Sequence, residues 1–259
     1  MRLPNGTEME DIFLLNKKVS LLQPDTGFRT SQDAVLLAAA CPAKGSETVL
    51  DMGCGVGGAL FCLLWREQDL NMTGIDIEPT YLDLAAQNAE KNHHNVTFIE
   101  QDVTQYRVNE PSKRYNHIIC NPPFFSAGDH TPSPEKIRAG ARGYTQEGQS
   151  FESWIKSALD NLKSKGSFCL IHQADKLDEI LFHLRKRFGA TDIIPIYSKP
   201  NEPAKRVILR SYKDRYSPCR LLSPVYMHRK DGCATEMSNL LLREGMSFDK
   251  VFAGTGKKA

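Results

Sequence analysis

Residues 121–124, Asn-Pro-Pro-Phe, combine side chains that could act on a planar amine. Such an amine is a poor nucleophile because its lone pair is delocalised into the ring or carbonyl beside it. The side-chain oxygen of Asn121 and the carbonyl of Pro122 are two acceptors that could bond its N–H groups and favour the lone pair turning out of the plane. Pro123 stiffens the turn, and Phe124 could stack on the planar group, which is worth about 1–3 kcal/mol per base.

A simpler reading of the same run is that the two prolines only end a strand. Neither proline has a backbone N–H to give to a β-ladder. The choice between the two readings depends on which other residues share this edge of the fold.

A glycine-rich segment, Asp-Met-Gly-Cys-Gly-Val-Gly, follows a buried strand and opens a helix at residues 51–57. Glycines at 53, 55 and 57 let the backbone turn tightly and approach a ligand that a Cβ would block. The small side chain of Cys54 suits the same loop.

Acidic residues end the strands that follow. Asp76 closes the second strand of the repeat, where a carboxylate can accept hydrogen bonds from the two hydroxyls of a ribose. Asp102 closes the third. Since the carboxyl ends of parallel strands share one edge, these acids, Asp51 and Asn121 should face one crevice. Alternatively, Asp51 or Asp102 could cap the turn that follows it.

Strands and helices alternate along most of the chain, which predicts an α/β fold. We expect a doubly wound, mostly parallel seven-stranded sheet whose final strand runs antiparallel after a short turn. The expected strands are 48–53, 71–78, 95–102, 115–121, 167–173, 190–198 and 204–213. The expected helices are 30–40, 59–67, 80–92, 151–166 and 175–189, with Thr30 or Ser31 as the cap of the first.

Three regions are expected along the chain. Residues 1–28 form an N-terminal hairpin extension that turns at Asn16-Lys17, and 29–216 form the catalytic domain. Residues 217–259 form an appendage with a strand at 220–228, a helix at 236–244 and a disordered end. The long apolar-poor stretch 125–148 should be either a functional loop or a disordered connection.

Composition narrows the class of protein. The chain has 259 residues, a net charge of +2 and seven cysteines, none with zinc-like spacing, so we expect reduced thiols and no metal. No apolar run approaches the roughly 20 residues of a membrane span, and the start is too polar for a signal peptide. We therefore expect a cytoplasmic protein that does not bind membranes.

Basic side chains cluster where a nucleic acid could pass. Lys136, Arg138 and Arg142 lie in the long loop after the Asn-Pro-Pro-Phe run, and Lys205 and Arg206 open the last strand of the sheet. A flexible basic segment beside a site can clamp phosphates. We expect these five residues to contact RNA.

Several motifs resemble those of known families. The loop pattern D-x-G-x-G-x-G resembles the S-adenosylmethionine loop of class I methyltransferases, unlike the G-x-G-x-x-G of dinucleotide sites. N-P-P-F resembles the N-P-P-[FY] motif of methyltransferases that act on amide or base amines. GFRTSQDAVLLAAA resembles a segment of the bacterial tRNA1(Val) adenine-N6 methyltransferase family. The N-P-P-F-F run, the PSP…RAGAR stretch, PAKRVI and the closing DG…LLREG resemble the alphaproteobacterial-type branch of that family, and the resemblance spans most of residues 15–245.

The resemblance implies a Rossmann-like class I methyltransferase that uses S-adenosylmethionine to methylate N6 of an adenine in the anticodon loop of a tRNA. The segment with Arg29, Thr30 and Asp33 would close over the methionine end, and Asp102 would lie near the adenine of the cofactor. The full implied cofactor set is Arg29, Thr30, Asp33, Asp51, Gly53, Cys54, Gly55, Gly57, Asp76, Ile77, Asp102, Val103 and Asn121. Asn121, Pro122, Pro123 and Phe124 would form the catalytic site.

Three other functions remain open from the sequence. Phe124 stands where tyrosine is commoner in the adenine-N6 family, and N-P-P-F is frequent among guanine-N2 methyltransferases of ribosomal RNA. Glutamine-N5 methylation of a protein is a second possibility, although the stretch before the glycine loop is short for a helical substrate-binding domain. The third is a cofactor-binding fold without catalysis, against which the intact run at 121–124 argues.

Overall fold

The structure is a computed structural model that describes residues 8–26, 29–123 and 149–255. Four residues expected in the site, Phe124, Lys136, Arg138 and Arg142, lie outside the described residues, as does the loop 125–148.

The chain begins with the expected hairpin. Strand β1 (Met9–Leu14) pairs antiparallel with β2 (Val19–Pro24), and the turn between them contains Leu15, Asn16 and Lys17 at positive φ. Helix α1 (Gln32–Ala40) follows; the Ser31 side chain accepts from the backbone N–H of Asp33 and so caps it.

The remaining elements alternate as predicted. They are β3 (Thr48–Met52), α2 (Gly58–Arg66), β4 (Asn71–Asp76), α3 (Pro79–Lys91), β5 (Thr97–Glu100), β6 (Tyr115–Cys120), α4 (Phe151–Asn161), β7 (Leu162–Gln173), α5 (Leu177–Leu184), β8 (Phe188–Tyr197), β9 (Ala204–Lys213), β10 (Arg220–Leu221), β11 (Val225–Tyr226), α6 (Glu236–Leu242) and α7 (Phe248–Thr255).

The central sheet has the strand order β10-β8-β9-β7-β6-β3-β4-β5, and β11 also pairs with β8. Strand β9 runs antiparallel to both of its neighbours, whereas the pairs among β3, β4, β5, β6 and β7 are parallel. The mostly parallel α/β fold with an antiparallel final strand is therefore confirmed. The short strands β10 and β11 extend the seven expected strands to nine.

Alternating side chains bury both faces of the sheet. In β7, Cys169 and Ile171 belong to a core shared with α1, α2 and the C-terminal helices, while Phe168 and Leu170 belong to a core shared with α4 and α5. This period of two is what a sheet covered by helices on both faces requires.

Two helices are shorter than the sequence indicated. Helix α4 ends at Asn161, because the chain from Leu162 to Gly166 already runs beside β6 as the start of β7. Gly166 allows β7 to approach β6 closely, since a Cβ at this position would lie 2.8 Å from the Asn116 carbonyl oxygen. The expected helix 175–189 is a short 3-10 turn followed by α5, and β8 begins at Phe188.

The C-terminal segment packs into the main core. Leu241 of α6 and Phe248 of α7 are fully buried in the cluster that includes α1 and α2. Helix α7, which the sequence did not indicate, is held by the Asp249 carboxylate, which accepts from both terminal nitrogens of Arg210 at 2.8–2.9 Å. The expected strand 220–228 is divided into β10 and β11.

Two asparagines of α3 attach the hairpin to the sheet domain. Asn88 accepts from the Leu22 N–H at 2.7 Å and donates to the carbonyls of Leu22 and Val56, both at 3.0 Å. One turn later, Asn92 makes the same paired contacts with the backbone of Ser20. The outer edge of β2 is thus paired with side-chain amides in place of another strand.

Candidate active site

The carboxyl ends of four neighbouring strands bring the predicted site residues together. Asp51 in β3, Asp76 at the end of β4 and Asn121 just after β6 lie on strands that are adjacent in the order β6-β3-β4-β5. Asp102 follows β5 at the same edge. The crevice expected from the sequence is therefore the one that the topology forms.

The glycine loop is built by positive φ values at Gly53, Gly55 and Gly57. The N–H groups of Gly53 and Cys54 both donate to the Ile75 carbonyl, at 2.8 and 2.9 Å, which holds the loop against β4. A Cβ at Gly57 would lie 2.3 Å from the Phe61 ring. The loop therefore requires glycine both for its backbone and for its packing against α2.

Asp76 orders this loop from the neighbouring strand. Its Oδ2 accepts from the Gly55 N–H at 2.8 Å and its Oδ1 accepts from the Glu78 N–H at 3.0 Å. Ile77 follows it and is half-buried. Each carboxylate oxygen retains a second lone pair, so Asp76 can hold the loop and still accept from a ligand.

Asp51 is almost fully buried, and its Oδ2 has no hydrogen-bond partner among the described residues. Burial, together with the nearby Asp76 carboxylate, raises the pKa of Asp51 to about 8. Burial also raises the pKa of Asp76. Two buried carboxyl groups with an unused oxygen suit a ligand that brings a positive charge or N–H and O–H donors.

Asp102 caps the turn that follows it, which is the simpler of the two roles that the sequence allowed. Its Oδ1 accepts from the backbone N–H and the hydroxyl of Thr104, both at 2.8 Å, so it caps its own turn. The buried Val103 next to it is fixed through its carbonyl, which accepts from the Ser157 hydroxyl of α4. Asn161 of α4 also accepts from the Val108 N–H at 2.8 Å. Helix α4 thus positions the whole 102–108 wall of the crevice.

The hairpin holds the segment before α1. Gln23, which is 1% exposed, accepts from the Thr30 N–H at 3.0 Å and donates to Glu10 at 2.7 Å. Glu10 also pairs with the exposed Arg29. The Thr30 side chain packs beside Gly58, at the start of α2.

Asp33 is bound by Arg206 from across the sheet edge. The Arg206 Nε donates to the Asp33 Oδ2 at 2.8 Å, and both side chains are largely buried. Because β9 is antiparallel to β7, its first residues lie at the carboxyl edge. Lys205, the neighbour of Arg206, is exposed there.

The Asn121-Pro122-Pro123 run follows directly after β6, at the carboxyl edge of the sheet. Asn121 is half-buried, Pro122 is buried, and Pro123 is half-buried at the end of the described residues. Asp51 and Met52 of β3 pair with Ile119 and Cys120, so the Asn121 turn begins directly beside the glycine loop.

Several residues that shape this edge carry no chemical signal in the sequence. Trp154 of α4 is 4% exposed, and a Cβ at Gly53 would lie 2.9 Å from its ring. The Cys54 thiol packs against Gly74 in β4 in the same way. Gln23 could have been suspected only as a polar residue at an inward position of an alternating strand.

The described residues contain no group of three or more His, Cys, Asp or Glu side chains placed to hold a metal ion. None of the helices within them is long and apolar enough to cross a bilayer.

The crevice fits the cofactor that the sequence suggested. The unpaired Asp51 oxygen suits the ammonium of a methionine group, and Asp76 suits the hydroxyls of a ribose. The glycine loop lies between them, so its backbone can approach the sulfonium region that joins the two.

Comparisons with known proteins agree with this geometry. A protein of Flavobacteriaceae bacterium (strain 3519-10) named tRNA1(Val) (adenine(37)-N6)-methyltransferase is 29% identical over 203 residues, which cover 74% of this chain and 80% of the relative. A solved structure from Agrobacterium tumefaciens, described as a predicted O-methyltransferase, matches with a TM-score of 0.67 at 23% identity, over 83% of this chain and 97% of the other.

A second solved structure is the 16S rRNA N2 G1207 methyltransferase of T. thermophilus, in complex with AdoMet and guanosine. It has a TM-score of 0.53 at 16% identity and covers 80% of this chain and 50% of that one. These neighbours show the class I S-adenosylmethionine-dependent methyltransferase fold. Residues 29–199 match the methyltransferase small domain, and the chain belongs to that family.

Proposed function

We propose that this enzyme transfers a methyl group from S-adenosylmethionine to the exocyclic N6 of an adenine in a tRNA, at a single-stranded anticodon loop. The observation that carries the proposal is the Asn121-Pro122-Pro123 turn at the crevice, beside a glycine loop and two buried acids. The relative described above, named as a tRNA1(Val) (adenine(37)-N6)-methyltransferase, supports the choice of substrate. A tRNA substrate places the enzyme in the cytoplasm.

This chain would hold the cofactor at both ends. Asp76 and Ile77 would receive the ribose, Asp102 and Val103 would border the adenine, and Asp51 would face the methionine ammonium. The segment with Arg29, Thr30 and Asp33, fixed by Gln23 and Arg206, would cover the methionine end. Bound there, S-adenosylmethionine supplies a methyl group activated by a positively charged sulfur.

The catalytic contribution of the chain is positioning. The Asn121 side-chain oxygen and the Pro122 carbonyl would accept from the two N–H groups of the target amine and direct its lone pair toward the methyl group. The N–C bond forms as the C–S bond breaks, and the nitrogen then loses one proton to solvent. Such placement avoids the need for a dedicated general base and can account for much of the rate enhancement. Phe124, outside the described residues, would stack on the base.

Basic residues near the same edge would hold the RNA. Lys136, Arg138 and Arg142 of the loop, with Lys205 and Arg206 at the start of β9, are the proposed phosphate contacts. The Arg206 side chain, which already binds Asp33 and the Lys205 carbonyl, is 30% exposed. A loop adenine can be extruded into such a pocket at low cost because it is single-stranded.

Guanine-N2 methylation of ribosomal RNA is the second candidate. It is favoured by Phe124 in place of tyrosine and by the shared fold of the 16S rRNA N2 G1207 enzyme. Both reactions would use the same two acceptors, so only the base differs.

Transfer of labelled methyl to separate preparations of unmodified tRNA, ribosomal RNA and release factor tests the proposal. We expect label in tRNA, and an Asn121→Ala variant that loses about 100-fold or more in rate even at saturating S-adenosylmethionine, as when one positioned hydrogen bond is removed from an active site. The exposed Asn95→Ala is the matched control. Label in ribosomal RNA or in release factor alone, or an unaffected Asn121→Ala, would contradict the proposal.

A further inference from the structure

His172 lies on β7, the strand next to β6, which leads into the Asn121-Pro122-Pro123 turn. It is the second-last residue of β7 and is 1% exposed. Strand β7 is parallel to β6 with Cys120 opposite Leu170, so two residues further along each strand Pro122 and His172 reach the same level. On its other side β7 pairs with β9, where Val207 is opposite His172.

The imidazole is enclosed by groups from three directions. The Phe151 ring of α4 meets it edge-on, with ring centroids 4.9 Å apart. The backbone of Pro123 faces it from the catalytic turn, and the charged groups near it are Arg206 of β9 and Asp175 in the turn after β7. Burial has the largest effect and lowers the pKa of His172, and Arg206 acts in the same direction, whereas the hydrogen bond with the Pro123 backbone and the Asp175 carboxylate oppose it only in part. The ring is therefore neutral near pH 7, with one N–H to donate.

The Asn121-Pro122-Pro123 turn has few backbone donors with which to hold its position. Two consecutive prolines have no N–H groups, so this stretch cannot continue the β6–β7 ladder as a donor. Its position must be fixed through its carbonyls and its packing. A buried neutral imidazole beside Pro123 is the kind of donor that can do this.

We propose that His172 is a positioning residue for methyl transfer: its N–H holds the Pro123 carbonyl and thereby aims the Pro122 carbonyl and the Asn121 side chain at the target amine. The inference rests on the proposed function, because it assigns these two acceptors to the substrate. Phe151 fixes the plane of the ring. Asp51, Asp76 and Asp102, the acids proposed to bind the cofactor, lie on or directly after β3, β4 and β5, so cofactor affinity should depend little on the imidazole.

Two variants separate positioning from packing. His172→Phe keeps an aromatic ring without a donor, and His172→Gln keeps an N–H of similar reach. We expect His172→Phe to lower kcat at least 10-fold with little change in the Kd for S-adenosylmethionine, and His172→Gln to recover part of the loss. His183→Phe, a half-buried histidine on α5 away from the turn, is the matched control. Equal losses in both His172 variants, or a loss confined to cofactor affinity, would overturn the proposal.

If a variant does not fold, a measurement on the wild-type protein tests the contact between His172 and Pro123. In NMR spectra of 15N-labelled enzyme without substrate, the His172 ring N–H proton should be visible and slow to exchange. As the pH is lowered, the ring should stay neutral to a pH well below the ordinary histidine pKa of about 6.5. A ring that exchanges quickly and titrates near 6.5 would overturn the assignment. If the wild-type enzyme proves to methylate another amine, the proposed function fails, yet this signal still tests the Pro123 contact.

Discussion

At the scale of single residues, Asp51 and Asp76 account for most of the electrostatic character of the site. Both are buried, the Asp76 carboxylate adds to the cost of ionising Asp51, and Asp51 has an oxygen without a hydrogen-bond partner in the described residues. Such an arrangement disfavours the ligand-free protein, and a cationic ligand relieves it. The acids thus serve binding at the expense of stability.

Stability should therefore depend on pH through Asp51. Its pKa is about 8 in the folded chain and 3.8 as the reference value, so the folded state keeps a proton that the unfolded state loses. This contribution is fully present below pH 4 and disappears as pH rises through 8. We expect the Tm of the ligand-free wild type to fall between pH 6 and 9 more steeply than that of Asp51→Asn.

Thermal unfolding scans across that pH range, without cofactor, check this prediction. The exposed Asp83→Asn on α3 is the control and should follow the wild type. Parallel curves for Asp51→Asn and the wild type would show that Asp51 ionises normally in the folded state.

The residues that could carry chemistry were predictable from the sequence, whereas the residues that hold them in position were not. The glycines, Asp51, Asp76 and Asn121 stand at strand ends, and strand ends follow from periodicity. Gln23 and Trp154 reach the site through tertiary packing of a hairpin and a helix distant in sequence. Local pattern contains no information on such contacts.

At the scale of elements, the hairpin β1–β2 is fixed to the glycine loop through the Asn88 side chain. Asn88 of α3 is 0% exposed and bridges the backbone of Leu22 to the carbonyl of Val56. The N-terminal region is therefore a wall of the site rather than a loose extension.

Asn88→Ala should weaken the attachment of the hairpin to the glycine loop. It leaves one N–H and two carbonyls without their partner, at about 1–3 kcal/mol for each group that stays buried. We expect a lower free energy of unfolding together with weaker S-adenosylmethionine binding, measured by denaturant titration and calorimetry. Gln87→Ala, an exposed amide on the same helix, should change neither. A stable Asn88→Ala protein with normal cofactor affinity would contradict this role of Asn88.

Element types were predictable and several boundaries were not. Gly166 signalled a helix end, yet it serves the approach of β7 to β6, and only the paired strand reveals that. Strands β10 and β11 form by pairing with β8, and helix α7 is held by Arg210. The local sequences of these three elements therefore specify them only weakly.

At the scale of the whole molecule, the C-terminal segment packs into the core that also contains α1 and α2. Phe248 is fully buried and contributes to the same cluster as α1, which leads into the site. Phe248→Ala should lower the free energy of unfolding by about 3–5 kcal/mol in a single cooperative transition. Phe182→Ala, 59% exposed on α5, should have little effect.

Calorimetry or denaturant unfolding of the two phenylalanine variants distinguishes the alternatives. A separate early transition in Phe248→Ala, with the main transition unchanged, would mean that residues after 216 behave as an independent appendage.

The central claim is that the Asn121-Pro122 acceptors present the N6 amine of a tRNA adenine for methylation. The most direct test is to label unmodified tRNA with the enzyme and methyl-labelled S-adenosylmethionine, digest it to nucleosides, and identify the labelled one by mass spectrometry. The account predicts N6-methyladenosine, absent from the Asn121→Ala reaction. Label in N2-methylguanosine, in a ring-nitrogen or ribose methylation product, or in no nucleoside would contradict it.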